Sequence, residues 1–123
     1  MIVGASVIGV SDALLQSLLV GLVEHNAIWF AQHPKLDPFT WGLRYRPDPV
    51  SDHIILHDAA VLQSQPIGSC GTLACAIGGY WRSRATRARV LLRRDAPTKW
   101  HAMVIAPDSE RPLWDPEKEV PHG

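Results

Sequence analysis

Four prolines, Pro34, Pro38, Pro47 and Pro49, fall between residues 34 and 50 and forbid a long helix there. They leave room for a short extended piece around Thr40 to Tyr45 and divide the chain into two halves of different pattern. Upstream, Ser11 and Asp12 suit a helix start, and Leu14, Leu15, Leu18, Leu19, Leu22 and Val23 recur at helical spacing. This predicts a helix to about Gln32, closed by His33-Pro34, because the residue before a proline is pushed out of helical geometry. His25 and His33 carry no partner motif and read as surface or cap histidines.

Downstream, Ser51 and Asp52 read as a second helix start, with Ile54, Ile55, Ala59 and Leu62 on one face of a helix ending near Ser64. After Pro66 the small residues Gly68, Ser69, Gly71, Thr72 and Ala74 permit a tight turn leading into a closely packed helix, expected from Cys70 to about Arg82. Arg89 to Arg94 alternates as a strand with Val90 and Leu92 on one face. Lys99 to Ala106 is a second strand with His101, Met103 and Ile105 on one side, and Leu113 to Asp115 begins a third. Helices first and a small antiparallel sheet last make an α+β chain with segregated elements.

At 123 residues the chain makes one globular unit, and 46% hydrophobic with 20% charged residues is enough to bury a modest core. Residues 11–123 form the expected domain, and residues 1–10, apolar but broken by Gly4 and Gly9, read as a strand, a frayed end or an arm for homo- or hetero-oligomeric assembly, and are set apart as an apolar N-terminal arm. Twelve basic residues balance twelve acidic ones, which removes the electrostatic argument for nucleic-acid binding. Six arginines lie between residues 82 and 94 and five acids between 108 and 119, two segments expected to offset each other. The start lacks a basic signal-peptide region, and the longest apolar run falls short of the ~18 residues of a membrane span, so no membrane partner is expected. The reading is a soluble chain from a reducing compartment, cytoplasmic, or part of a virion if phage-encoded.

Two cysteines cannot staple a secreted scaffold, and Cys70 and Cys75, five residues apart on a helix, sit roughly 8 Å apart at Cα, too far to bridge. His53 and His57 at helical i, i+4 spacing can hold zinc together with a cysteine, but no second closely spaced ligand pair supports a metal site. No cofactor is implied. Cys70, by contrast, opens a helix, where free N–H groups and the positive dipole end favour a thiolate. A hairpin centred on residue 108 sets His101 opposite Asp115, with Cβ atoms ~4.5–5.5 Å apart, so that the carboxylate orients the imidazole. Cys70 as nucleophile, His101 as base and Asp115 as orienting acid then form a triad. A free cysteine serves equally as a small core residue, the role assigned to Cys75, and a strand histidine as a satisfied core group; spacing alone leaves both readings open.

The stretches GSCGTLACAIGGYWRSRATRARVLLRR, KWHAMVIA and PLWDP, with WGLRYRPDP upstream, resemble the transglutaminase-like branch of the papain-like cysteine peptidases of bacteria and tailed phages. The resemblance covers about residues 39 to 118 and implies a papain-like fold, helices packed on a small antiparallel sheet, and Cys70, His101 and Asp115 as the triad. It implies a protein or peptide amide substrate, with hydrolysis and amine transfer both open. The branch often carries acids just after the cysteine, where this chain has Gly71 and Thr72. Gln65 and Gln63 are candidate oxyanion donors, and Trp100 and Trp114 candidate walls of the substrate cleft. The competing reading is a non-catalytic structural or assembly protein, such as a phage virion component, that keeps the fold as a scaffold.

Overall fold

A computed structural model describes residues 4–8, 11–47, 53–96 and 99–123. The chain begins with β1 (Gly4–Ile8) and α1 (Asp12–Gln32), and α1 starts where Ser11 Oγ accepts the Leu14 N–H at 3.2 Å. It stops at His33, before Pro34. The proline segment holds a 3₁₀ turn at Pro38–Thr40 and the two-residue β2 (Arg44–Tyr45), with Gly42 at φ +72° between them. A left-handed residue there favours glycine.

The second predicted helix is corrected. His53–His57 is a strand, β3, and only Ala59–Ser64 is helical, as α2. The reason is local: Ile54 and Ile55 are β-branched and favour extended backbone. Asp58 supplies the cap, its Oδ1 accepting the Val61 N–H at 3.0 Å. The Ser51-Asp52 start signal lies outside the described residues. On a strand His53 and His57 stand about 13 Å apart along the chain, so the helical premise of the zinc reading falls away. β1 pairs antiparallel with β3, Gly4 across from His57 and Ile8 from His53. The expected docking arm is therefore, over residues 4–8, a strand of this chain's own sheet; the rest of residues 1–10 lies outside the described residues.

β4 (Ile67–Gly68) runs parallel to β2, setting Tyr45 beside Gly68, and leads into α3 (Cys70–Ser83). Then follow β5 (Arg89–Ala96), β6 (Lys99–Ile105), β7 (Pro112–Trp114) and the one-turn α4 (Pro116–Glu119). The last three strands form an antiparallel sheet in the order β5-β6-β7. The chain is α+β as expected, but two further two-stranded sheets, β1-β3 and β2-β4, interleave with the helices, so the elements are not segregated as expected.

α1 and α3 pack together through Leu15, Leu19 and Val23 against Leu73, Ala76 and Ile77, and Val90, Ala102 and Val104 of the sheet complete the same core. The small residues of α3 let the helices close in. A Cβ on Gly79 would lie 2.5 Å from Asn26 Cβ and 3.0 Å from the Val23 carbonyl oxygen. α1 is apolar on every side, with Leu14, Val20 and Ile28 exposed. Over 18 residues its mean hydropathy is 1.2, so it is long and apolar enough to cross a membrane by length and composition, a test that a core helix also passes. In the fold its buried face lies on α3.

The arginine run is also distributed otherwise than expected. Arg82 pairs with Glu24 of α1, Arg94 with Asp12, and Arg93 with Asp95. Arg84 donates to the Pro34 carbonyl, and Arg89 to the carbonyls of Ala106 and Ser109. Arg82 thus joins α3 to α1, Arg84 joins the end of α3 to the proline segment and Arg94 joins β5 to α1, while Arg93 interacts electrostatically with Asp115 and Glu117 of the acidic stretch.

Candidate active site

Cys70 is the first residue of α3, and Ser69 before it is the cap position. Ser69 makes no side-chain cap, because its Oγ donates to the Ile55 carbonyl of β3 at 3.2 Å. Ser69 therefore places no side-chain oxygen over the first turn of α3. The Cys70 thiol is half-buried and its Sγ lies 3.9 Å from the Trp100 carbonyl oxygen, which places it at the neighbour of His101 on β6. Cys75, on the same helix, is fully buried and donates to the Leu19 carbonyl at 3.5 Å. Burial pushes its thiol far above the usual 9.0, with a smaller push from Cys70.

His101 and Asp115 come together. The imidazole is 2% exposed, and its Nε2 lies 3.0 Å from Asp115 Oδ1. The expected hairpin geometry does not bring this about. β6 and β7 pair Val104 with Trp114 and Ile105 with Pro112, across a register shift, and continuing the Val104–Trp114 register would set position 117 across from His101. β7 ends at Trp114, and Asp115 leaves the sheet as the cap of α4, its Oδ1 also accepting the Glu117 N–H at 3.0 Å. Pro116 at the next position suits a helix start.

That turn brings in a residue the sequence reading missed. Glu117 Oε1 lies 3.2 Å from His101 Nδ1 and accepts the Tyr45 hydroxyl at 3.2 Å. Nδ1 nevertheless makes no hydrogen bond, although it is buried. A buried polar atom without a partner costs about 1–3 kcal/mol and calls for an explanation. The signal for Glu117 was in the sequence: Asp115-Pro116-Glu117 reads as cap, first helical residue and second, which turns the third side chain back over the cap. Tyr45 had no such signal, since its place comes from the parallel pairing of two dipeptide strands.

A cleft of about 340 Å³ adjoins the Cys70 turn, lined by Arg46, Ile55, His57, Gln65 and Ser69 among others. Gln65 thus faces space next to the thiol's own loop, whereas Gln63 is exposed on α2 and is not part of that lining. Trp100 lies under the Arg94 guanidinium, 3.8 Å from its ring centroid. Trp114 is 7% exposed and packs edge-on against Phe39; it borders a different groove, with Leu43 and Val120. Among the described residues no three His, Cys, Asp or Glu side chains are grouped to hold a metal ion.

Compared with known proteins, the chain matches no family model, no curated protein and no solved structure. The functional reading rests on the site's own geometry.

Proposed function

We propose that this chain is a cysteine-dependent acyl-transfer enzyme of papain-like, transglutaminase-like type, acting on a protein or peptide amide. The observation that carries the reading is His101: one ring nitrogen faces a buried carboxylate, while the other is buried without a hydrogen bond, on the residue next to the carbonyl that meets Cys70. An ionised carboxylate only accepts, so Asp115 selects the tautomer with its proton on Nε2 and leaves the Nδ1 lone pair as the base. His101 takes the Cys70 proton at Nδ1, and the thiolate attacks the amide carbon. The oxyanion is met by N–H groups at the start of α3, over which the Ser69 side chain does not lie, with Gln65 as a further donor from the adjoining cleft. The imidazolium then gives its proton to the leaving amine, and water or a second amine resolves the thioester.

Gly71 and Thr72, where the resembling branch carries acids, have a packing reason. A Cβ on Gly71 would meet Leu56 Cδ2 at 2.9 Å, and Thr72 is fully buried with its hydroxyl accepting the His57 N–H at 3.1 Å. An acid at either position would be buried in the core.

Iodoacetamide alkylation across pH, read by mass spectrometry, tests the reading. Cys70 is expected to react selectively with an apparent midpoint below about 7.5, and His101→Ala to abolish that selectivity. A folded chain in which Cys70 is as inert as Cys75 sinks the enzyme and favours the second reading. That reading is a structural or assembly protein, in a virion for instance, and it draws on the exposed Leu14, Leu18 and Ile28 of α1.

A further inference from the structure

We infer that Glu117 is a second positioning acid for His101: it accepts the Nδ1 proton once the ring is charged, so that the imidazolium is held between two carboxylates. The base role of His101 rests on the function proposed above, but the coupling of Glu117 to the ring is measurable without it.

With Asp115 fixing the proton on Nε2, neutral His101 presents a lone pair at Nδ1. The Glu117 carboxylate oxygen stands 3.2 Å from Nδ1 without the alignment of a hydrogen bond, so at rest the two are close but not joined. Protonation changes this. The new positive charge finds a carboxylate already 3.2 Å away, and a small rotation of the Glu117 side chain brings its oxygen onto the N–H. Glu117 is kept there by two contacts of its own, the Tyr45 hydroxyl on Oε1 and the backbone N–H on Asp115. In the first chemical step the S–H bond of Cys70 breaks and the proton goes to Nδ1. The pair Cys70–His101 goes from neutral and neutral to thiolate and imidazolium, and Glu117 favours the second state. On proton delivery to the leaving amine the ring becomes neutral again and the attraction is lost, which favours release.

The other charged groups facing the ring come from the neighbouring strand and helix. Arg93 stands opposite His101 in the β5–β6 register and interacts electrostatically with Asp115 and Glu117. Asp95 on β5 feels the His101 charge, and Cys70 approaches from α3 at the Trp100 carbonyl. Arg93 is already paired with Asp95 at 2.7 Å, so removing Glu117 takes away an anion in direct reach of Nδ1 without freeing a new cation.

The experiment follows the ring ¹⁵N signals of His101 against pH in the full chain, with His101→Ala identifying the resonances. In Glu117→Gln the pH at which the ring converts is expected to fall by about one unit relative to the native chain. Glu117→Asp, which retains the charge, is expected to recover at least half of the drop, and Glu117→Ala serves in place of the glutamine variant should that one fail to fold. A conversion that moves by less than about 0.3 unit in a folded, charge-removed variant overturns the inference. A drop that Glu117→Asp does not recover assigns the effect to packing and overturns it as well. Alkylation of Cys70 on the same samples reports separately on the nucleophile: an inert Cys70 beside a ring that responds to Glu117 counts against the enzyme and not against the coupling.

Discussion

Two buried polar clusters use nearly the same chemistry and are completed differently. Between α1, α2 and α3, Asn26 is fully buried, its Nδ2 donating to the Cys75 carbonyl at 3.0 Å and its Oδ1 accepting the Ala59 N–H at 2.9 Å. Asp58 beside it accepts the Val61 N–H and lies 3.1 Å from His25 Nε2. These groups are matched, which is how a polar cluster fixes the relative placement of helices. Around His101 the same histidine–carboxylate pairing is repeated, yet one buried nitrogen is left without a hydrogen bond while an oxygen stands 3.2 Å away. A cluster that holds structure is satisfied at rest; one that has to receive a proton is completed only when it does.

The largest expected effect comes from opening the satisfied cluster. Asn26→Ala leaves the Ala59 N–H at the start of α2 buried without its partner, while the Cys75 carbonyl, inside α3, loses only its second hydrogen bond; one such orphaned group predicts a loss of about 2 kcal/mol. Urea unfolding checks it. A loss under about 1 kcal/mol would mean that water or a shift of α2 satisfies the Ala59 N–H, and would remove the structural half of the comparison.

The two clusters also differ in how far they could be read from the sequence. Cys70 at a helix start, His101 within a strand and Asp115 nearby were legible, because each rests on local signals of cap, alternation and turn. The meeting of His101 with Asp115 was foreseen on a hairpin register the chain does not adopt; the Pro116 turn produces it instead. The run His53 to Leu62 misled, because a strand followed by a short helix happens to reproduce helical spacing. Asn26 gave no signal, since a polar residue on an apolar helix reads as exposed until the close approach of Gly79 is known. What the sequence hid in each case was a contact between segments far apart in the chain.

A smaller effect separates Cys75, which belongs to the satisfied cluster through its carbonyl, from the thiol at the other end of the comparison. Burial holds the Cys75 thiol protonated well above its ordinary 9.0, while the unfolded chain ionises there. The folded state then binds more protons than the unfolded one, so the stabilisation is present below pH 9.0 and is lost as pH rises beyond it. By pH 10 the loss attributable to this residue is about 1.4 kcal/mol. Native and Cys75→Ala chains unfolded in urea at pH 8 and pH 10 should differ in their pH response by about that amount. Equal responses would mean that the thiol reaches water in the folded state, and that the core under α1 opens more readily than its hydrogen bonds imply.

The smallest effect lies at the surface between the two clusters. Asp12 at the start of α1 is 2.8 Å from Arg94 of β5, whose guanidinium also covers Trp100, the residue whose carbonyl meets Cys70. The hydrogen bond from Arg94 holds the Asp12 carboxyl below its usual 3.8, and Arg93 does the same for Asp95. Because these folded-state values are depressed, the unfolded chain takes up protons first as the solution is acidified. The contribution is present above pH 3.8 and is lost as pH falls through the depressed values. All four groups are in solvent, so the contribution is small and screened by salt. Arg94→Gln should therefore leave stability at neutral pH nearly unchanged and flatten the acid limb of the melting curve below pH 4 at low salt, with the difference vanishing in 1 M salt. A large loss at neutral pH would instead mean that Arg94 matters by covering Trp100, and that the sheet edge beside Cys70 is held from the helix side as firmly as Asn26 holds the core.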